Sequence, residues 1–240
     1  MTNLSKLQEA YSLLGIIEDD NSVSSMVKEI KRHIHEFMVD NEPAPKKGEF
    51  NIWDYVANDE LRPVMNGVFH DKESGVAVAT DAHILVSDKA SYDESNVEPN
   101  GHRLAIDKYG KFIDGIFPRW QSVLTPKETA IENGYQYHHV DVKDLDKYIK
   151  RCNAYMKING FTGRYAKRPV FNIPNTNVWF LASWLHKFLT ASGGDIFVLD
   201  NNPARAAFYW SDERNVLLMP MLVNNPENIK YNDDLYMMEK

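Results

Sequence analysis

Three short apolar runs, separated by turn-forming residues, constrain the fold of this chain more than any other feature of its sequence. The runs are residues 196–199, 206–210 and 216–221, and the connections 200–203 and 211–215 are rich in Asp, Asn, Ser and Pro. Such residues favour tight turns, and short apolar runs between turns are typical of antiparallel strands joined as hairpins. A strand-like run at 170–174 and a helix-like segment from about 178 to 190 precede them. Residues 170–223 therefore predict a strand, a helix and three antiparallel strands.

Other segments predict helices with one apolar face. In residues 141–157, Val142, Leu145, Ile149 and Cys152 recur at helical spacing, with cations on the other side. Residues 1–40 predict two helices, interrupted near residues 15–21. The segment 42–48 holds two prolines and a glycine and predicts a linker. Residues 49–128 predict mostly strands and turns, with runs at 64–69, 75–80, 84–86 and 113–118.

The sequence therefore predicts an α+β fold in four parts. These are an N-terminal helical region and linker (1–47), a β-rich domain (48–128), a second domain (129–224) and a polar tail (225–240). The adjacent acids Asp233 and Asp234 favour a frayed end for the tail.

Composition excludes several classes of protein. The 43% hydrophobic and 12% aromatic residues are too many for a disordered chain. The single cysteine allows neither an internal disulfide nor a Cys-rich zinc site, so we expect a reduced, cytoplasmic protein. No apolar run approaches the roughly 20 residues of a membrane span, and the N-terminus does not resemble a signal peptide, so no membrane partner is expected.

Charge gives a weaker restriction. The net charge of −7 argues against a strongly basic, non-specific nucleic-acid coat. It still allows cations to be concentrated on one face.

Common catalytic and nucleotide-binding motifs are missing, so the sequence predicts a non-enzyme with no cofactor and no metal. It contains no Walker loop, dinucleotide fingerprint, HExxH or GxSxG. Asp81 and His83 favour a polar turn over half of an acid–base site. His138 and His139 would point to opposite faces of a strand, which disfavours a metal site with Asp141.

Three further features have two interpretations each. Cys152 lies on an apolar helix face and is more typical of a buried, inert thiol than of a nucleophile. The basic face at 143–151 favours a solvated helix surface over DNA contact. Met65, Met219 and Met221 favour core packing over an adaptable peptide-binding surface.

Three separated stretches resemble the bacterial DNA polymerase III beta subunit family, the sliding clamps. The first pairs RPVMNGVF (62–69) with VATDAHIL (78–85), the second is IDGIFPRWQSVL (113–124), and the third is LLMPML (217–222). They occur in the family's order and cover residues 49 to about 223. The chain differs in having Ala82 and Ile84 where the family has Gly and Arg, and no counterpart of the family's first domain is evident.

The resemblance implies a fold and a function. Clamp domains are built from β-α-β-β-β units, with helices around a central hole and sheets outside. Polymerases and repair proteins dock short peptides, with motifs such as Gln-x-x-Leu-Phe, into an apolar pocket between the last two domains. The residues matching that pocket are Met65, Thr80, Ala82, His83, Leu85, Pro118, Val123, Leu217, Met219, Pro220 and Met221.

The resemblance also implies contact with double-stranded DNA that is not sequence-specific. Cations on ring-lining helices would touch phosphates loosely and permit sliding. The candidates are Lys143, Lys147, Lys150, Arg151, His186 and Lys187. A clamp loader and a homo-oligomeric ring are the other partners that the family implies.

The leading hypothesis is thus a sliding-clamp-like processivity factor for DNA replication. The alternative is a monomeric adaptor or clamp antagonist that binds the same peptides without encircling DNA. A small enzyme built around Asp81, His83 and His102 is the third and least favoured class.

Overall fold

Twelve strands in two antiparallel sheets form the framework of the described part of the chain. The structure, a computed structural model, describes residues 7–8, 10–11, 24–41, 49–163, 166–232 and 234–239. The strands are β1 (Val68–Asp71), β2 (Val76–Thr80), β3 (Ile84–Asp88), β4 (Ala105–Ile106), β5 (Gln136–His139), β6 (Lys167–Asn172), β7 (Trp179–Leu181), β8 (Asp195–Val198), β9 (Ala207–Trp210), β10 (Arg214–Leu218), β11 (Lys230–Tyr231) and β12 (Leu235–Glu239). The larger sheet has the order β4-β1-β2-β3-β10-β9-β8-β5, and the smaller has the order β11-β12-β6-β7.

Four α-helices accompany the sheets in the described residues: α1 (Ser24–Asp40), α2 (Lys127–Glu132), α3 (Val142–Ile158) and α4 (Ala182–Ser192). The helix predicted at 141–157 is confirmed as α3. Its first turn is capped by the Asp141 carboxylate, which accepts a hydrogen bond from the Lys143 amide at 2.7 Å. Among these helices none is long and apolar enough to cross a membrane.

The larger sheet runs without a break through both predicted domains. Strand β3 from the first and β10 from the second pair directly, with Leu85 opposite Leu217 and Ile84 opposite Leu218. The three predicted C-terminal strands are confirmed as β8, β9 and β10. The α+β class with antiparallel sheets is therefore confirmed, while the domain boundary at residues 128/129 stays a prediction.

Each face of the larger sheet carries its own core. Ile84 and Val86 of β3 pack on one face with α4 residues such as Leu185 and Phe188. Leu85, between them, points to the other face, because side chains alternate along a strand. There it packs in a second cluster with Leu217, Phe117 and Trp120.

Two local predictions differ from the structure. The apolar segment after residue 178 begins as strand β7, and the helix starts only at Ala182. All three residues of β7 are buried and pair with β6, so tertiary packing decides their conformation. The strand predicted at 64–69 begins at Val68, because Pro63 opens a 3-10 helix, Pro63–Asn66.

The prediction of a frayed polar tail is wrong. A 3-10 helix (Pro226–Ile229) and strands β11 and β12 follow residue 225, and β12 pairs with β6. Leu235 and Met237 are 3% and 1% exposed and pack against Cys152. The apolar surface that Leu235 and Met237 bury outweighs the polar character of the segment.

Much of the predicted N-terminal helical region and linker lies outside the described residues. The described helix α1 corresponds to the second predicted helix. Its Asp40 carboxylate accepts hydrogen bonds from Lys108 Nζ at 2.8 Å and from the Tyr109 hydroxyl at 3.0 Å. These contacts attach α1 to the turn that follows β4.

Candidate functional site

The turn between β2 and β3 is held by its own side chains. The Asp81 carboxylate accepts hydrogen bonds from the amides of His83 at 2.9 Å and Ile84 at 2.8 Å. The Thr80 hydroxyl donates to the Ile84 carbonyl at 2.8 Å and accepts from the Ala82 amide. Ala82 has φ = 72°, a left-handed conformation. This local role of Asp81 accounts for its presence without catalysis.

The Met219–Pro220–Met221 segment lies directly against this turn. Beyond β10, the Met219 amide donates to the His83 carbonyl at 2.8 Å. Two residues later the Met221 amide donates to the Trp179 carbonyl in β7, also at 2.8 Å. The segment therefore crosses from the larger sheet to the smaller one at the junction of the two predicted domains.

The remaining predicted pocket residues lie at different depths. Leu85 and Leu217 are each 6% exposed, inside the second core cluster. Met65 is equally buried, and its carbonyl accepts from the Ala57 amide. Pro118 and Val123 are exposed on the segment that carries the buried Phe117 and Trp120. The structure thus brings Thr80, Ala82 and His83 together with the methionine segment, and Leu85 together with Leu217.

Trp184 is a residue of this site that the sequence analysis missed. Its indole ring stacks on the His83 imidazole, with ring centroids 3.8 Å apart and planes inclined by 22°. It also packs in the cluster that contains Trp179 and Met221. The only signal was an aromatic residue in the first turn of a helix, which apolar core packing explains equally well.

We call the accessible part of this site the junction surface. It consists of Ala82, His83, Trp184, Met219 and Met221. Met219 is 42% exposed, and Trp184 and Met221 are half-buried. Imidazole, indole and thioether groups give an adaptable apolar surface with few polar groups. Such a surface suits apolar side chains of a ligand.

A second candidate surface is the outer face of α3. Leu145 and Cys152 are fully buried on one side of the helix. Lys143, Lys147 and Lys150 follow at i, i+4 and i+7 on the exposed side. The predicted cationic face is therefore present.

Several of its cations are already paired. Lys147 Nζ lies 2.7 Å from the Asp144 carboxylate, which raises the pKa of the lysine. Arg151 pairs with Asp234 at 2.6 Å. Lys143 and Lys150 have no ion pair with other described residues.

The two candidate DNA-binding residues on α4 are engaged as well. His186 Nε2 lies 3.1 Å from the Asp146 carboxylate of α3. Lys187 Nζ donates to the Asp54 carbonyl at 2.6 Å, and the Lys187 carbonyl accepts from the Tyr55 hydroxyl. Lys187 thus connects α4 to the 3-10 helix Ile52–Tyr55.

The other titratable candidates have structural partners. His138 pairs with Asp200, and His139 pairs with Asp195, each at 2.9 Å. Burial raises the pKa of the Cys152 thiol. No group of three or more His, Cys, Asp or Glu side chains within the described residues is arranged to hold a metal ion.

Comparison with solved structures shows that this α+β fold is similar to that of bacterial sliding clamps. A sliding clamp from Bartonella birtlesii, bound to griselimycin, is 16% identical, with a TM-score of 0.50. The match covers 71% of this chain and 62% of that one, so it spans less than two thirds of the clamp's length.

Two other clamps give similar values. The Helicobacter pylori clamp bound to a DNA ligase peptide has a TM-score of 0.49 at 14% identity and covers 72% of this chain and 62% of its own. The Bacillus subtilis clamp has a TM-score of 0.48 at 15% identity, with 77% and 68% covered. No protein-family model and no curated protein matches the sequence.

Proposed function

We propose that this protein is a non-enzymatic, sliding-clamp-like factor of DNA replication that captures short peptide motifs of polymerases or other DNA-processing proteins at the junction surface. The observation that carries the proposal is the hydrogen bond from the Met219 amide to the His83 carbonyl. It holds the methionine segment against the Thr80 turn, where the resemblance to clamps expects a peptide pocket. Leu and Phe side chains of a peptide gain roughly 25 cal/mol for each Å² of apolar area buried there.

The test is binding of a fluorescein-labelled peptide carrying a Gln-x-x-Leu-Phe motif, followed by fluorescence polarisation. We expect saturable binding that weakens about tenfold or more in the double variant Met219→Ala/Met221→Ala, because central apolar anchors dominate such interfaces. Met38→Ala removes a methionine from α1 and is the matched control. Equal affinity in the double variant and the control would show that the peptide binds elsewhere.

Loose contact of α3 with duplex DNA is the second part of the proposal. The exposed side chains of Lys143 and Lys150 support it, together with the neighbouring Lys147. When the logarithm of the DNA-binding constant is plotted against the logarithm of the salt concentration, each phosphate that a cation neutralises contributes about 0.9 to the magnitude of the slope. Lys143→Ala/Lys150→Ala should therefore reduce that slope by up to about 1.8.

The control for DNA binding is Lys89→Ala/Lys127→Ala, which removes the same charge from two exposed sites outside α3. It should leave the slope close to that of the wild type. A similar fall in both double variants would indicate a general charge effect rather than contact through α3.

The adaptor or antagonist is the second candidate, and the ion pairs on the basic face favour it. Asp144 pairs with Lys147 and Asp234 pairs with Arg151, which neutralises part of the charge that a DNA-lining helix would offer. Light scattering at high protein concentration separates the two candidates. A stable oligomer supports a ring, to which a clamp loader would be a further partner, and a strict monomer that binds peptide supports the adaptor.

A further inference from the structure

The C-terminal hairpin of β11 and β12 packs on two sides at once. Leu235 and Met237 face α3 and cover Cys152, whereas Tyr236 and Met238 belong to the cluster around Trp179. The Tyr236 amide donates to the Tyr148 hydroxyl at 3.0 Å, and that hydroxyl donates to the Val170 carbonyl at 2.6 Å. The hairpin is therefore packed against α3, β6 and the cluster around Trp179.

A short series of interactions leads from the hairpin to the junction surface. The Tyr236 ring packs edge-on against the Trp179 ring, with centroids 4.9 Å apart. The Trp179 carbonyl accepts the Met221 amide at 2.8 Å, and the two side chains share one cluster with Trp184. Trp179 thus links the hairpin directly to a member of the junction surface.

The backbone of Trp179 pairs with β6, whereas its ring also packs on the hairpin. Strand β7 has only three residues and lies at the edge of the smaller sheet, where Met221 forms an isolated bridge with Trp179. One backbone bridge holds Met221 by a single amide, so side-chain packing in the cluster around Trp179 also contributes to the place of Met221. Tyr236 supplies part of that packing through its edge-on contact with the Trp179 ring.

We propose that the C-terminal hairpin positions Met221 for peptide capture, with Tyr236 and Trp179 as the positioning residues. The inference rests on the proposed function of the junction surface. Because coupling between two sites is reciprocal, a peptide that holds Met221 in place also stabilises the seated hairpin.

Cys152 supplies a natural reporter of hairpin seating. It is the only cysteine of the chain, and it is fully buried beneath Leu235 and Met237. Because the thiol is buried beneath the hairpin, opening of the hairpin exposes it to a maleimide reagent. At low urea a labelling rate that does not depend on urea reports this local opening rather than global unfolding.

The first experiment measures peptide affinity in Tyr236→Leu and in the matched control Tyr231→Leu. Tyr231 belongs to the same hairpin but packs on Tyr155 and Phe161, away from Trp179. We expect Tyr236→Leu to weaken binding roughly 2- to 30-fold, the range for residues coupled to a site without touching its ligand. Tyr231→Leu keeps the contact between Tyr236 and Trp179, so it should weaken binding less than Tyr236→Leu does. If Tyr236→Leu does not fold, Met238→Ala tests the same cluster.

The second experiment measures Cys152 labelling in the wild-type protein with and without saturating peptide. We expect saturating peptide to slow the labelling of Cys152. The factor should equal the ratio of the peptide affinities with the hairpin seated and with the hairpin open. Two results would overturn this inference but leave the proposed function intact. In the first, the wild type binds the peptide but the labelling rate does not change. In the second, the wild type binds the peptide and Tyr236→Leu binds it equally well. Absence of peptide binding by the wild type would overturn both.

Discussion

At the residue scale, Arg214 joins three segments of the fold. Its Nε donates to the Asp88 carboxylate at 2.8 Å, and its Nη1 donates to the Ala191 carbonyl at the end of α4. Its guanidinium carbon lies 3.4 Å from the centroid of the Phe50 ring. The Asp88 side chain is completely buried, and its second oxygen accepts two hydrogen bonds from Ser91. The pair thus connects β3, β10 and α4.

Removal of this arginine should be costly. In Arg214→Met the buried Asp88 carboxylate loses its counter-charge, which we expect to lower the free energy of unfolding by about 3–5 kcal/mol. Urea denaturation measures the change. Arg151→Met is the control, because its pair with Asp234 is exposed and should contribute less than about 1 kcal/mol. Similar losses in the two variants would contradict a special role for the buried pair.

His70 gives the stability of the protein a predictable pH dependence. It is 5% exposed, its Nδ1 accepts from the Asp93 amide, and burial lowers its pKa below the usual 6.5. The unfolded chain therefore binds a proton at a pH where the folded ring stays neutral. The free energy of unfolding should consequently fall as the pH drops below about 6.5.

The variant His70→Asn tests this dependence, since its side-chain oxygen can replace Nδ1 as the acceptor. Urea denaturation at pH 7.5 and 5.5 should show a smaller loss of stability in His70→Asn than in the wild type. The exposed His102→Asn should retain the wild-type loss. A steeper pH dependence of stability in His70→Asn would contradict the predicted direction of the His70 effect.

At the element scale, the sequence predicts those elements whose pattern and end signals agree. Helix α3 has helical spacing, an Asp141 cap and the stop Asn159–Gly160, and it forms within one residue of the predicted range. Trp179–Leu181 has no such end signal. An apolar run directly before a helix does not reveal where the strand ends and the helix begins, because partner strand β6 decides it.

The same limit applies to the C-terminal hairpin. Leu235 and Met237 alternate with Tyr236 and Met238, a two-residue period typical of a strand. The nearby acids and the terminal position favoured a frayed tail instead. What places β12 in a sheet is pairing with the edge of β6 that β7 does not occupy, which no local pattern records.

The segment around Trp120 depends on one buried carboxylate. Asp71, at the end of β1, accepts hydrogen bonds from Trp120 Nε1 at 3.0 Å and from Gln121 Nε2 at 2.7 Å. Asp71→Ala leaves the buried indole N–H without a partner and should cost about 1–3 kcal/mol in urea denaturation. Asp71→Asn keeps one acceptor oxygen and should cost less. Equal costs would show that the negative charge matters more than the acceptor.

At the scale of the whole molecule, the junction surface was predictable only in part. The turn at Thr80–Ile84 and the Met219–Met221 segment carry sequence patterns that resemble those of clamps, and the structure places them in contact. Trp184 and the burial of Met65 carry no such pattern, because exposure and ring contacts depend on tertiary packing. The resemblance to clamps predicts where the site residues lie in the sequence. It does not predict which of them are exposed, because exposure depends on the assembled fold.

The β3–β10 pairing makes the two predicted domains dependent on each other. One core contains Tyr55 and Val86 from the first, and Leu185, Phe188 and Val216 from the second. Neither unit can therefore bury its share of this core alone, and each would leave an unpaired central strand exposed to solvent.

We accordingly expect the described fold to unfold in one cooperative step. Urea transitions followed by far-UV circular dichroism and by tryptophan fluorescence should coincide, because strands and tryptophans of both units lose structure together. A fragment comprising residues 49–126 should lack the fold that it has in the full chain, since it loses β10 and α4. Two separate transitions, or a folded fragment, would instead identify the boundary near residue 128 as one between independent domains, held together only by the pairing of their edges.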